Sequence, residues 1–408
     1  MKFIARQPIL NLQRDVFAYE LLFRAGTQNS CEGLNMEQAS TLMVDTSFLI
    51  GLHNLTEGRR AFINCTRDFL LGEFISLFPR DQVVVEILET IEPDSDVVNA
   101  CRRLKHEGYL LALDDFVETP AWTPLVALAD FIKVDFLLTP RTEQRALAER
   151  HRARGTRMLA EKIETQEEFS IAKEMGYSLF QGYFFCRPEI LKQREIPSSK
   201  LAYLDLLQTA TAPEFDMKKL ASKVKHDASI TYKLLRYLNS AAFGLEGEIR
   251  SIPHALALLG ERELRKWIAV VCVGVMAGGK PDELMTIPLI RGRFCELLAP
   301  FAKLAGHEND LFMLGLLSII DAILDVPLDV ILSGLPVRHE IKEALLEQRG
   351  SYHDMLDLVI AHERADWKKM SALAKTLGIK EDLIPPIYAS AVTWASSLRH
   401  GDQVQMAR

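Results

Sequence analysis

Between residues 61 and 185 the chain carries six short apolar runs: "AFIN", "VVVEILE", "LLALDDF", "FIKVD", "MLAEKIE" and "LFQGYFF". They are continuous rather than alternating, which is the pattern of strands covered on both faces in a parallel sheet. Amphipathic helices separate them. In "DSDVVNACRRLKHEG", Val97, Val98, Cys101 and Leu104 share one helical face. "TQEEFSIAKEMG" opens with the capping-box pair Thr165 and Glu168. Gly108, Gly155 and Gly176 fall where a helix should stop before the next strand. Ahead of these units, "FIARQPIL" and "VFAYELLFR" flank the turn "NLQRD", a hairpin pattern. Repeated strand–helix units leave few foldings open. A closed (β/α) barrel is favoured, with an open doubly wound sheet as the alternative.

The barrel is favoured by where the polar residues lie. Nearly every apolar run contains or ends in a carboxylate, amide or lysine, and the C-terminal strand ends of such barrels carry the chemistry. In chain order these residues are Glu20, Asn64, Glu86, Asp114, Asp115, Lys133, Asp135, Glu161 and Gln181. Oxygen donors without a Cys or His cluster suit a hard divalent cation, Mg²⁺ or Mn²⁺. Several carboxylates at one mouth would repel one another, so cations or a buried lysine must offset them.

The second half differs in kind. At 408 residues the chain is too long for one ordinary core. "RPEILKQREIPSSK" reads as a linker, and beyond it only helical periodicity occurs, in "ITYKLLRYLNSAAF", "IPHALALLGERELRKWIAVV", "LFMLGLLSIIDAIL" and "DLIPPIYASAVTWASSL". The expected division is a barrel over residues 1–190, a linker over 191–200 and an all-α domain over 201–408. A net charge of −7 argues against direct DNA binding. The arginine-rich segment 141–157 scatters its charges around a helix, as a solvated surface helix does. Six dispersed cysteines without a CxxC pair, and an N-terminus without a signal-peptide pattern, point to the cytoplasm. The most apolar stretch, "IAVVCVGVMAGG", is too short for a membrane span and reads as a buried helix.

The motifs of the first half resemble, in order, those of the EAL domain, the family of cyclic di-GMP phosphodiesterases. "ELLFR" stands where the E-A-L-L-R motif would be, "FINCT" resembles N-L-S, "VEILE" resembles E-I-T-E, and "LDDF" resembles the start of D-D-F-G-T-G. "IKVD" resembles K-I-D, "AEKIE" resembles A-E-G-V-E, and "FQGYFFCRP" resembles Q-G-Y-x-x-x-x-P. The resemblance implies metal ligation by Glu20, Asn64, Glu86 and Asp114, with Asp115 holding a second metal or its water. It implies that Glu161 is the general base and that Lys133 orients the attacking water or neutralises charge. Gln7 and Arg24 would contact the ligand, Arg24 through a phosphate, with Gln181, Glu89 and Asp135 in support. The chain departs from the pattern at Leu21, at Leu88 and at Lys162, which replaces the glycine of E-G-V-E. It departs again at Val117–Glu118–Thr119–Pro120, which replaces a glycine-rich loop tied in the family to the second metal and to dimerisation. Glycine takes positive φ cheaply and these residues do not, so support for the site is expected to be altered.

The second half resembles HDOD, the HD-related output domain, through "HDASITYKLLRYLNSAAFG" and "IRSIPHALALLGERELRKWI". His226–Asp227 reads as an exposed histidine and a helix cap rather than a metal pair, and "NSAAFG" reads as a helix end within an apolar groove-forming fold. Where HD enzymes carry a His–Asp dyad, this chain has Ser318 and Ile319, so this half is expected to hold no metal and to act through protein contacts. The tandem is similar to bacterial EAL–HDOD signalling proteins. The favoured expectation is a degenerate EAL barrel that binds cyclic di-GMP or a partner while the HDOD domain relays the state to a signalling protein. The alternatives are an active Mg- or Mn-dependent cyclic di-GMP phosphodiesterase regulated by HDOD, and a pure interaction scaffold. A homodimer is compatible with the resemblance.

Overall fold

The computed structural model describes residues 2–25, 52–72, 75, 76, 78–187, 198–212, 216, 220 and 252–403. His226–Asp227, "ITYKLLRYLNSAAF", "NSAAFG", residues 191–197 and the side chain of Arg24 lie outside the described residues. The chain divides into two compact units, residues 1–185 with 363–367, and residues 186–362 with 368–408.

The first unit opens with the hairpin β1 (Lys2–Asn11) and β2 (Val16–Ala25). Its turn is closed by Asn11, whose Oδ1 accepts the backbone N–H of Gln13 and of Asp15, both at 2.9 Å. Six strands follow: β3 (Arg60–Cys65), β4 (Val83–Ile87), β5 (Leu110–Leu113), β6 (Phe131–Asp135), β7 (Arg157–Glu161) and β8 (Leu179–Gln181). They match the six apolar runs. The eight strands close into one barrel in sequence order. Pairing is parallel from β2 to β8, while β1 is antiparallel to both its neighbours. The hairpin forces this reversal, because a short turn can join only antiparallel strands.

Side chains on a strand alternate faces with a period of two. The barrel uses that rule to stack layers. Ile9, Ala18, Phe62, Val84, Ala112, Phe131, Leu159 and Leu179, one residue from each strand, form a buried apolar cluster. Phe62 and Phe131 meet edge to face, 5.2 Å between ring centroids. This layer is the floor on which the next inward layer rests.

The helices between strands start and stop where their end residues require. α1 (Ser95–Glu107) is capped by Asp94, whose carboxylate accepts the N–H groups of Asp96 and Val97, and it ends at Gly108 with φ 93°. α2 (Arg141–Arg152) is the arginine-rich segment. It buries Gln144, Leu147, Ala148 and His151 and leaves Arg141, Arg145, Arg150 and Arg152 exposed, as a solvated surface helix should. α3 (Gln166–Met175) begins with the Thr165–Glu168 capping box and ends at Gly176 with φ 99°.

The second unit is helical throughout its described residues. α4 (Ser198–Thr211) begins inside the stretch read as linker, so Ser198–Lys200 are its first turn. α5 (Ile252–Met276) is broken by a non-helical Gly260. α6 (Glu283–Leu298) and α7 (Glu308–Leu317) touch backbone to backbone. A Cβ on Gly315 would lie 2.4 Å from the Gly292 nitrogen, so only glycine fits there. α8 (Ile384–Gln403) packs Trp394 against Trp267 and Phe312. Cys272 and Cys295 are buried free thiols, and "IAVVCVGVM" forms the buried end of α5. No helix among the described residues is long and apolar enough to cross a membrane.

One glycine controls the exit of β8. Gly182 has φ 142°, and a Cβ there would sit 2.1 Å from the carbonyl oxygen of Ile163. That same oxygen accepts the N–H of Phe184, while Ile163 N–H donates to Gln181, so the backbone cannot move aside. Gly182→Ala is expected to cost about 3 kcal/mol or more. A urea melt of the full chain measures it.

Candidate metal centre at the barrel mouth

The site is the layer directly above the apolar floor. Moving two residues toward the C-terminal end from Ala18, Phe62, Val84, Ala112, Phe131, Leu159 and Leu179 gives Glu20, Asn64, Glu86, Asp114, Lys133, Glu161 and Gln181. β1 runs the other way, so its member is Gln7, two residues before Ile9. The strand period therefore places these residues at one mouth, and all but the fully buried Glu86 line one cavity with Asp115, Leu22, Lys162 and Tyr183.

Lys133 stands at the centre and is 1% exposed. Its Nζ lies 2.8 Å from Asp114 Oδ1, 2.9 Å from Glu161 Oε1 and 3.4 Å from Glu20 Oε2. It also pairs with Glu86. Burial works against its charge, but the carboxylates of Asp114, Glu161, Glu20 and Glu86 outweigh that and hold the ammonium well above the usual lysine range. Burial raises Glu86 and Glu161 well above the usual carboxylate range. Lys133 pulls against that, and the neighbouring carboxylates add to it.

The amides fix the rest. Gln181 Nε2 donates to Glu20 Oε2 at 2.6 Å and to Gln7 Oε1 at 3.0 Å. Asn64 Nδ2 donates to Glu20 Oε1 at 3.0 Å. Each amide then keeps a free acceptor. Asn64 Oδ1, Gln181 Oε1, Glu86 Oε2, Glu161 Oε2 and Asp115 Oδ1 are buried oxygens that accept no hydrogen bond among the described residues. Unsatisfied buried acceptors are costly and rare. Atoms of Asp114, Asp115 and Glu161 also lie within 4.8 Å of one another, close enough for one cation. The donors are all oxygens, so the set fits Mg²⁺ or Mn²⁺.

The loop after β5 is not slack. Asp115 carries the positive φ, at 37°, while Thr119 is extended at φ −134°. The residues that replace the glycine-rich loop therefore take no left-handed backbone, contrary to the demand expected of them. Phe116 is buried against Trp122 and His151. Its N–H donates to the Lys133 carbonyl at 3.0 Å. Glu118 pairs with Arg150 on α2. Pro120 starts a short 3-10 turn. Val117 is left 62% exposed.

Two residues expected in support lie outside this layer. Glu89 is exposed in the turn after β4, its carboxyl raised first by burial and then by Asp114 and Asp115. The Arg24 side chain lies outside the described residues. Asp135 is buried and accepts the N–H groups of Leu137 at 2.7 Å and Leu138 at 3.0 Å on one oxygen. Its other oxygen binds Lys162. Lys162 has φ 57°, a left-handed backbone that costs a residue with a Cβ about 1–2 kcal/mol. The substitution of glycine was visible in the sequence, but the lysine's reach to Asp135 was not.

In the helical unit, Ser318 caps α7, donates to the Gly315 carbonyl at 2.7 Å and accepts from Arg291 Nη1 at 3.1 Å. A guanidinium thus lies against the position read as half of a lost His–Asp pair.

Comparison with known proteins gives the same order of parts. The family model of the EAL domain matches residues 56–188, and that of the HDOD domain matches residues 196–324. The cyclic di-GMP phosphodiesterase CdgJ of Vibrio cholerae is 34% identical over 400 residues, covering 97% of this chain and 93% of its own. The uncharacterized protein YuxH of Bacillus subtilis is 35% identical over 406 residues, covering 97% and 98%. Among solved structures, Klebsiella pneumoniae BlrP1 in complex with calcium and cyclic di-GMP is 22% identical, covers 46% of this chain and 55% of its own, and has a TM-score of 0.39. With full-length relatives above 30% identity and both domains in order, the chain belongs to the family of EAL–HDOD proteins that includes CdgJ.

Proposed function

We propose that the barrel binds cyclic di-GMP at this mouth and hydrolyses one of its phosphodiesters to give the linear dinucleotide. The observation that carries the reading is the ring of buried, unsatisfied oxygens around Lys133. Glu20, Asn64, Glu86 and Asp114 would hold a divalent ion. Such an ion would stabilise charge on a phosphate oxygen and make water a better nucleophile. Glu161, with Oε2 free, would take the proton of the attacking water as that water adds to phosphorus and a ribose oxygen leaves. Burial raises its carboxyl above the usual glutamate range, which makes it a stronger base than an exposed glutamate. Lys133 would keep the carboxylates close without mutual repulsion. Gln181, itself held by Gln7, would set the rotamer of Glu20, and both amides would face the nucleotide, with Arg24 on a phosphate. The name of the full-length relative CdgJ supports the same substrate. The helical unit would pass the barrel's state to a signalling protein through contacts.

A second reading, binding without turnover, is favoured by Lys162, which places a cation on Asp115 and Asp135. The test is incubation of the full chain with cyclic di-GMP and Mn²⁺. The linear dinucleotide should accumulate, and Glu161→Gln should slow it by about 100-fold or more. Heat of nucleotide binding without product selects the second reading. Neither heat nor product overturns both.

The raised carboxyls also fix a pH dependence. Above about pH 4.5, the usual glutamate value, the folded protein holds protons on Glu86 and Glu161 that the unfolded chain releases. Stability therefore falls as pH rises through that window. The metal-free chain should melt at lower temperature at pH 8 than at pH 5, and Mn²⁺ should restore most of the loss at pH 8. Removing the central cation leaves carboxylates unpaired, so Lys133→Met should cost the metal-free protein about 3–5 kcal/mol, measured by denaturation.

A further inference from the structure

The two ammonium groups divide the carboxylates of the mouth between them. Lys133 takes Glu20, Glu86, Asp114 and Glu161. Lys162 takes Asp135, and its Nζ lies 3.6 Å from Asp115 Oδ2. Asp114, Asp115 and Glu161 form the three-carboxylate cluster that could hold an ion, and Lys162 sits on its rim.

Several features show that this arrangement is built. Lys162 follows Glu161 directly and holds a left-handed backbone at φ 57°. Asp115, its partner, is also left-handed, at φ 37°. Asp135 is fixed independently by the Leu137 and Leu138 N–H groups, so its second oxygen is held toward Lys162. The ammonium thus stands 3.6 Å from Asp115 Oδ2, on the carboxylate that a second divalent ion would need.

Resting on the reading of the mouth as a metal centre, we infer that Lys162 is a built-in replacement for the second metal ion. The chain binds one divalent ion, at the Glu20–Asn64–Glu86–Asp114 end, and Lys162 supplies the positive charge at the Asp115 end. It is a positioning residue for Asp115 and a selector of metal stoichiometry.

The test counts ions rather than turnover. Mn²⁺ is titrated into the full chain and followed by electron paramagnetic resonance and calorimetry. The wild type should bind one ion tightly. Lys162→Gly, which suits the left-handed backbone, should bind two, with spin coupling between them. Lys162→Gln keeps a side chain of similar reach without the charge. It should tighten the second ion by about tenfold or more, since a unit charge this close shifts proton binding to a carboxylate by about 1–3 pKa units. Lys162→Arg should stay at one. Two tight ions in the wild type overturn the inference. So does one ion in wild type, Gly and Gln variants alike, an outcome that leaves the metal-centre reading standing. No Mn²⁺ bound by any of the proteins overturns that reading as well, and the inference with it.

Discussion

The barrel mouth depends on one buried ammonium. Lys133 is surrounded by four carboxylates: Glu20, Glu86 and Glu161 on three strands, and Asp114 just past the end of β5. Without a cation their mutual repulsion in a poorly screened interior would be large. With it, they can stand in one layer and leave oxygens unsatisfied. The pair energies do not make this a stabilising device, because desolvating that many charges offsets much of the attraction. The layer is held from below. Its apolar floor, Phe62, Val84, Phe131 and Leu159 among others, sets the strand positions, and the polar layer inherits them.

That inheritance explains how much could be read in the sequence. Six apolar runs and a hairpin contain the barrel, and period two puts Glu20, Asn64, Glu86, Lys133, Glu161 and Gln181 on one face of their strands. Charge repulsion implied cations or a buried lysine, and Lys133 is such a lysine. Backbone conformation at the strand ends was not legible. Asp115 and Lys162 are left-handed, and neither residue type announces it. Nor could the sequence show that Glu118 reaches Arg150, because that pair joins residues 32 apart. Glu89, three residues after Glu86, falls in the turn beyond Ile87, where the strand period no longer fixes its direction.

The helical unit spends its charges differently. Lys266 is buried among Glu263 and Glu296, and Arg291 lies on Ser318. Lys266 thus meets two carboxylates and Arg291 a hydroxyl, fewer charges than Lys133 gathers. The tight Gly292–Gly315 crossing brings α6 and α7 together at Arg291 and Ser318, so this polar contact serves helix packing.

The changed loop after β5 bears on both readings of the barrel. Glycines lost from a site can mean decay, or a different way of holding the same atoms. Here Phe116 anchors the loop by burial and by its N–H on Lys133, and Glu118 ties it to α2. The strain that a glycine would absorb is instead carried by Asp115 and Lys162, which face one another. A left-handed backbone at two residues with side chains persists only where the surroundings over-determine it. Here the surroundings are the opposite charges themselves, 3.6 Å apart, which tie the turn after β7 to the turn after β5.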